Sequence, residues 1–365
     1  MSRQVLADSW YAGRLAAAND AQLHVEVLDD VLLRRPVLRA VVARSAVLRG
    51  VVLFTLGRRA AAVVTVNAAP GTRTLIALTA LLGRRNLVLL EYIQHFPPSG
   101  GCRGKLRRIQ FWVLRQVLLP RALMAAQVLT ETERGRYSTR MGVHRERFCY
   151  IPWPRRSEIP SCTALPPRGG DNSRRVLASG HRTDWVTFFA AARDTSWEVT
   201  AVCSSADFKM VRTLVGNSQT RILTDIPAGQ HQKEVVDAAV YVLALSETQA
   251  SIGQIRIMNA TDAGTPLVVS NVAGITGYVG ADSAVLVTPG DASALRRAIT
   301  LLLADPPRQE LLRNNAFAAS LQYTATDYHR AIRELVHKQA TSARARTSLS
   351  RRSEPEQSTE EFKEH

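Results

Sequence analysis

Cysteine is scarce in this chain, with four residues among 365: Cys102, Cys149, Cys162 and Cys203. No two of them form a CxxC pair, and none lies at metal-ligand spacing from a histidine. The pattern is typical of free thiols in a reducing cytoplasm rather than of disulfides or a metal centre. No metal site is therefore predicted.

Long apolar runs are also missing. No segment reaches the uninterrupted apolar length that a membrane-spanning helix needs. The first ten residues, MSRQVLADSW, lack the hydrophobic region of a secretory signal. We therefore expect a cytoplasmic protein.

Acidic residues are outnumbered, 31 against 47 Lys and Arg, so the formal net charge is +16. Such an excess favours an anionic partner, either nucleic acid, a phosphate-bearing substrate or an acidic lipid surface. Arginine-rich coding in a high-GC organism would produce the same excess, and composition does not choose among these. No RRM, zinc or helix-turn-helix signature is present, so nucleic acid is not the partner we expect.

Short β-branched runs alternate with longer helical patterns, which is typical of βα units around a parallel sheet. In the first half we predict strands at 24–28, 61–66, 86–93, 126–132 and 147–153, with no strand before them, and helices near 36–57, 72–83, 105–125 and 133–141. In the second half we predict strands at 175–180, 198–203, 220–225, 240–245, 266–270 and 284–289, and helices near 184–193 and 291–306. Asp291 is the expected N-cap of the last helix.

A break divides the two halves. Residues 152–175 are dense in Pro, Ser, Gly and Arg and have no periodicity, as linkers do. We therefore predict two Rossmann-like domains, at 1–155 and 175–337, joined by a linker at 156–174. The polar tail at 338–365 is predicted to be disordered. Two such domains leave a cleft at the carboxyl ends of their strands.

One helical pattern, which follows Ser251, carries unusual polar residues. Gly253 lies at the expected helix N-terminus, where unpaired N–H groups and the helix dipole favour an anion. Arg256, one turn later, can bind the same phosphate, and Asn259 on roughly the same face can reach a sugar hydroxyl. The Gly264–Pro266 segment then ends the helix before a strand. Alternatively, Arg256 and Asn259 are solvated residues of a surface helix.

This order of residues resembles the carboxyl-terminal domain of the retaining glycosyltransferase family 4, also described as glycosyl transferases group 1, which has the GT-B fold. The matching residues are Ser251, Gly253, Arg256, Asn259, Ala260, Gly264, Pro266, Ala273 and Gly274. The similarity continues through 176–192 and 285–306, covers about 175–335, and is loose in the first half. It implies an α/β chain of two Rossmann-like domains with a cleft between them.

The resemblance implies that the second domain holds a nucleotide-sugar donor. The catalytic residues that it implies are Arg182 and Arg256, beside the diphosphate, and His95, at a strand end facing donor and acceptor. A structural role for His95 is the alternative. The donor-binding residues that it implies are Gly180, Glu247, Ser251, Gly253, Gln254, Asn259, Gly274, Ile275 and Thr276. Asn259 stands where the family has a ribose-binding glutamate, and Gly277 stands where the family often has an acid.

The function that the resemblance implies is sugar transfer to a polysaccharide, lipid-linked or natural-product acceptor, with retention and without a metal. The nucleotide sugar is the substrate, and no cofactor is implied. Two other functions stay open. One is a degenerate, non-catalytic glycosyltransferase-like partner protein, which Asn259 and Gly277 would allow. The other is a nucleotide-sugar epimerase on the same fold, which would require a base in the cleft.

The stretch 103–129 mixes six basic residues with a long apolar face, and no acid occurs between Glu91 and Glu131. An amphipathic basic helix can dock on an anionic membrane and receive a lipid-linked acceptor. We therefore expect association with the inner face of a membrane through residues 103–125. Alternatively, this is a buried core helix with basic ends, as the apolar run 111–114 would indicate.

Overall fold

A computed structural model of the chain describes residues 3–8, 23–94, 101–155, 165, 174–215 and 220–352. It contains two six-stranded parallel sheets, one in each half of the chain. Helices cover both faces of each sheet, so the strands read as continuous apolar runs rather than as alternating patterns.

The first sheet has the strand order β2-β1-β3-β4-β5-β6. Its strands are β1 Arg3–Ala7, β2 Leu23–Val27, β3 Ala62–Val66, β4 Leu87–Leu90, β5 Leu123–Val128 and β6 Phe148–Tyr150. The helices of this half are α1 Leu28–Leu33, α2 Pro36–Arg44, α3 Ala46–Gly57, α4 Thr72–Leu81, α5 Gly101–Trp112, α6 Leu119–Ala122 and α7 Glu131–Met141. A π-helical segment, Val113–Leu118, joins α5 to α6, and a 3-10 turn, Arg145–Arg147, precedes β6.

Three local features of this half differ from the sequence prediction. β1 pairs with both β2 and β3, although no strand was expected before residue 24. The helix expected over 36–57 is two helices, because the extended backbone of Ser45 separates them. The Ser45 hydroxyl then caps α3 by accepting from the N–H of Leu48 at 3.3 Å. β5 begins at Leu123, inside the helix expected over 105–125.

The second sheet has the order β12-β11-β10-β7-β8-β9. Its strands are β7 Arg175–Ser179, β8 Glu198–Cys203, β9 Arg221–Thr224, β10 Val240–Leu243, β11 Leu267–Ser270 and β12 Val285–Val287. Its helices are α8 Trp185–Ala192, α9 Ser205–Val215, α10 Ala228–Asp237, α11 Gln254–Ala263, α12 Ala292–Leu303 and α13 Pro306–Ser320, with a 3-10 turn at Ala273–Ile275. Asp291 caps α12, as predicted, by accepting from the N–H of Ala294 at 2.8 Å.

The last helix, α14 (Ala325–Arg352), leaves the second sheet and packs on the first. Its buried residues Tyr328, Ile332 and Val336 cover the face of the first sheet opposite to α1–α7. The predicted domain boundary at 337 lies inside this helix, and residues 338–352 of the predicted tail are helical.

Among the helices in the described residues, none has the combination of length and apolarity that crossing a bilayer requires. Cys149 and Cys203 are free thiols.

Candidate functional site

The candidate site lies at the carboxyl ends of β7 and β10, where the strand order of the second sheet reverses. In open parallel sheets, the crevice outside such a reversal is the usual ligand site. The loops after the two strands are joined here by a bridge between Thr183 and Leu245. The N–H of Leu245 donates in turn to the Ser270 hydroxyl at the end of β11, at 2.9 Å. Three strand ends are thus held together at the floor of the crevice.

The helix α11 starts at this crevice with Gly253 as its N-cap, at φ +83°. No side chain caps this end, so its first N–H groups are directed toward the crevice. At its other end Gly264, at φ +63°, stops the helix, and β11 begins at Leu267. The helix ends where the sequence predicted, and it begins just after the predicted glycine.

The side chain of Arg256 lies between two glycines. A Cβ atom added to Gly180 would lie 2.8 Å from the Cδ and Nη1 atoms of Arg256. A Cβ atom added to Gly253 would lie 3.9 Å from its Nη2 atom. Both glycines have positive φ angles, +103° and +83°, which L residues rarely adopt. The guanidinium therefore lies beside the N-terminus of α11 in a space that only these glycines leave open.

Arg256 is oriented through one of its nitrogens. Its Nη1 donates to the Ser179 carbonyl and to the Thr183 hydroxyl, the latter at 3.1 Å. Burial lowers the pKa of the guanidinium, and the nearby Tyr241 opposes that shift. Within the described ranges, no carboxylate forms an ion pair with Arg256. A partly buried cation without a carboxylate partner favours an anionic ligand, and a guanidinium fork matches phosphate oxygens.

A buried polar group supports the strand end behind Arg256. The Ser179 hydroxyl contacts the Tyr241 hydroxyl and lies 2.8 Å from Nε2 of His231. Tyr241 is fully buried, and burial raises its pKa, so its hydroxyl stays neutral. These contacts hold the carboxyl end of β7 in place, and the Ser179 carbonyl there accepts the hydrogen bond from Arg256.

Ser251, two residues before the N-cap, contacts the first domain. Its N–H donates to Oε1 of Glu133 at 2.8 Å, and its hydroxyl donates to Oε2 of the same carboxylate. Glu133 also accepts from the Tyr137 hydroxyl at 2.7 Å and from the N–H of Leu129 at 3.3 Å. The carboxylate is fully buried. Ser251 therefore uses both of its donors between the domains in this structure.

Gln254 and Gly274 are brought together at the crevice. The Gln254 amide donates to the Gly274 carbonyl. A Cβ atom added to Gly274 would lie 2.2 Å from the Ala250 carbonyl, so only glycine allows this approach. Ile275, the next residue, is buried, and Thr276 is exposed.

Other predicted residues lie further from these contacts. Arg182 is exposed at φ +65° in the loop after β7, and Glu247 is exposed in the loop after β10. Asn259 is buried on α11, and its carbonyl accepts from the Gln232 amide at 3.3 Å. His95 lies outside the described residues.

Sequence reasoning did not find Thr183, Ser179 or Glu133. Thr183 and Ser179 flank Gly180, so their proximity to the predicted loop was the available signal. Glu133 lies in the capping sequence Thr130-x-x-Glu, which indicates a helix start and nothing more. In the part of the chain that the structure describes, no group of three or more His, Cys, Asp or Glu side chains could hold a metal ion.

Comparison with solved structures finds the same architecture along most of the chain. A glycosyltransferase from Rickettsia africae superposes with a TM-score of 0.63 at 11% identity, over 93% of this chain and 98% of that one. A sucrose-phosphate synthase from Thermosynechococcus elongatus superposes with a TM-score of 0.63 at 13% identity, over 92% and 98%. The Anabaena protein HepE in complex with UDP superposes with a TM-score of 0.60 at 13% identity, over 93% and 100%. The chain has the GT-B fold.

One region of the chain also matches a known protein family by sequence. Residues 209–319, which include α11, match the family described as Glycosyl transferases group 1. No curated protein is significantly similar to the chain. The family match and the GT-B fold together support a glycosyltransferase.

Proposed function

We propose that the protein transfers a sugar from a nucleotide-sugar donor to a glycan or lipid-linked acceptor, with retention of configuration and without a metal. The observation that carries the proposal is the guanidinium of Arg256. It lies between two glycines at the N-terminus of α11 and has no carboxylate partner among the described residues. This arrangement suits the diphosphate of the donor.

In the proposed reaction, the acceptor hydroxyl oxygen bonds to the anomeric carbon of the sugar. The bond from that carbon to the diphosphate breaks, and a nucleoside diphosphate and the acceptor proton are released. Arg256 and the first N–H groups of α11 stabilise the charge that develops on the diphosphate. Arg182, exposed on the adjoining loop, is the proposed second cation. These groups take the place that a bound metal has in other sites.

The structural neighbours support a uracil nucleotide as the first donor to test. Structures of Anabaena HepE contain UDP and UDP-glucose. A structure of Staphylococcus aureus TarM contains UDP and α-GlcNAc-glycerol. We propose a UDP-sugar for this protein, with Asn259 on α11 as the contact to the ribose.

Binding of UDP and of a panel of sugar nucleotides tests the donor site, measured by calorimetry and saturation-transfer NMR on the full chain. We expect Arg256→Ala to abolish binding and Arg256→Lys to retain weaker, still measurable binding, because a lysine keeps the charge but lacks the fork. Arg297→Ala, an exposed arginine on α12, is the matched control. Unchanged binding by Arg256→Ala would overturn the proposed site.

Turnover is tested separately, by nucleotide release from the donors that bind. Release that depends on an acceptor supports the transferase, and the anomeric configuration of the product tests retention. Donor binding without release under every acceptor would favour the non-catalytic partner protein. Conversion of the donor sugar without an acceptor would favour the epimerase.

A further inference from the structure

The positive charge of the chain is concentrated in one region of the first domain. Residues 31–130 contain 16 Lys and Arg and a single acid, Glu91, so this region carries nearly all of the formal net charge of +16. A uniform coding bias would spread the excess over the chain. The concentration therefore needs a local explanation.

Most of these residues fold into one layer of helices on one side of the first sheet. Buried residues of α1, α2, α3, α4 and α6 share one apolar cluster with the strands. Within the layer α3 packs against α4, and α4 packs against α6 and the π-helical segment. The other side of the sheet is covered by α14. The exposed residues of α2–α6 therefore lie on the outer side of this layer.

The helix α5 places apolar and basic residues together in solvent. Every residue from 105 to 110 is exposed. Leu106 and Ile109 have exposed fractions of 57% and 60%, and Val113 follows at 37%, so the spacing i, i+3, i+7 forms one stripe. On another side of the helix, Phe111 packs against Arg115 of the following π-helical segment, whose guanidinium carbon lies 4.2 Å from the centroid of the Phe111 ring and also stacks on the buried Tyr92. That side faces the domain, and the stripe faces away from it.

Two other helices of the same layer repeat this composition. Val37 and Val41 on α2 and Val47, Leu48 and Val51 on α3 are exposed. The exposed arginines around them are Arg34, Arg35, Arg39 and Arg44. We define the docking face as the exposed residues of α2, α3 and α5.

We propose that the docking face binds an anionic phospholipid bilayer, with Leu106 and Ile109 of the stripe and the exposed Trp112 beside it inserted at the boundary between headgroups and acyl chains. In the described part of the chain, Lys105, Arg107 and Arg108 are exposed and pair with no acid. They contact the lipid phosphates, and this combination of an apolar stripe with a basic polar side is that of an interfacial helix.

Two other occupants fit the face less well. A nucleic acid would neutralise the arginines but would leave the aliphatic stripe in water. A second copy of the chain would cover the stripe but would bring two strongly positive surfaces together. An anionic bilayer matches both the charge and the apolar residues.

The α5 part of the docking face is the part nearest to the cleft. α5 follows the segment after the carboxyl end of β4, which is the edge of the first sheet that borders the cleft. If the proposed transferase function holds, a bilayer on this face would deliver a lipid-linked acceptor beside the donor. Membrane binding itself requires neither donor nor turnover, so the two proposals fail independently.

Co-sedimentation of the full chain with vesicles tests the proposal. We expect the protein to bind vesicles of equimolar phosphatidylcholine and phosphatidylglycerol, not vesicles of phosphatidylcholine alone, and to be released by salt. Arg107→Glu with Arg108→Glu should weaken the partition by at least roughly tenfold, as the loss of two interfacial charges predicts. Leu106→Glu with Ile109→Glu should abolish it.

A matched control is available on α9 of the second domain. Lys209→Glu with Arg212→Glu changes the same charge at exposed sites outside the docking face and should leave vesicle binding unchanged. Circular dichroism and denaturant unfolding confirm that each variant is folded. Failure of the unmodified protein to bind anionic vesicles would overturn the proposal, as would equal loss in the control. The proposal would also be overturned if the stripe mediated self-association or oligonucleotide binding instead of vesicle binding.

Discussion

The carboxylate of Glu133, in the first domain, accepts both the N–H and the hydroxyl of Ser251 in the second domain. This carboxylate is fully buried, and no Lys, Arg or His of the described residues forms a salt bridge with it. Four hydrogen bonds to its two oxygens take the place of a cation. The contact thus holds the segment before α11 against α7 of the other domain.

Replacing Glu133 should destabilise the protein more than replacing its exposed neighbour Glu131. We expect Glu133→Ala to lower the free energy of unfolding by about 2–4 kcal/mol, because it leaves buried donors unsatisfied. Glu131→Ala, on the same turn, removes only exposed ion pairs to Arg134 and Arg145 and should cost about 0–1 kcal/mol. Denaturant unfolding measures both. Equal losses of unfolding free energy in the two variants would show that the buried carboxylate adds no stability.

Gly180 should be sensitive to the addition of a single methyl group. In Gly180→Ala the new Cβ would strain a backbone at φ +103° and displace Arg256, so we expect UDP binding to weaken by at least roughly tenfold, or about 1.4 kcal/mol. Gly229→Ala, on α10, meets no atom within 4 Å and should leave binding unchanged.

The link between Gly180 and Arg256 can be measured by a double-mutant cycle. If the methyl group acts by displacing the guanidinium, Gly180→Ala should change UDP binding less in the Arg256→Lys background than in the unmodified protein. Additive effects of the two substitutions would mean that Gly180 contributes by another route.

Asn259 is predicted to contact the ribose of the donor. We expect Asn259→Ala to weaken UDP binding by roughly two- to tenfold, the value of one hydrogen bond. The variant should also discriminate less between UDP and a deoxyribose analogue that lacks the contacted hydroxyl. Unchanged discrimination would place the ribose elsewhere. Arg297→Ala, at an exposed position on α12, serves as a control for the ribose contact.

Stability should decline in alkali because of a tyrosine between the domains. Tyr278 accepts from the N–H of Trp153 at 2.8 Å, and burial, followed by Tyr150 and Tyr323, raises its pKa. A raised folded-state pKa means that its contribution is complete below the ordinary tyrosine pKa of about 10 and is lost as pH rises above it. In Tyr278→Phe the fall of unfolding free energy above about pH 10 should be shallower, by at most about 1.4 kcal/mol per pH unit. Identical slopes in the two proteins would contradict this assignment.

The second domain could be predicted from sequence more fully than the first. Its strands are apolar runs between clear helices, and the helix stop at Gly264–Pro266 and the Asp291 cap are local signals that the structure confirms. β1 was missed because five residues, RQVLA, carry little β-branched character, and its place between β2 and β3 is set by pairing. The break at Ser45 depends on one side-chain cap inside a continuous helical pattern.

Some features of the candidate site could likewise be predicted from the sequence, and others could not. The glycines and Arg256 lie on short segments whose backbone requirements can be read locally. The pairing of Gly180 with Arg256 joins residues from two strand ends, and that of Glu133 with Ser251 joins residues 118 positions apart. Such pairs depend on how the sheets and domains pack, and no local pattern specifies that packing.

The crossing of α14 onto the first sheet has a consequence for synthesis of the chain. Tyr328, Ile332 and Val336 belong to the apolar cluster under β1, β3 and β4, yet they follow all strands of the second sheet in the chain. The first sheet must therefore wait, with one face uncovered, until the second domain has been translated. A fragment ending after β6 should expose that face and aggregate.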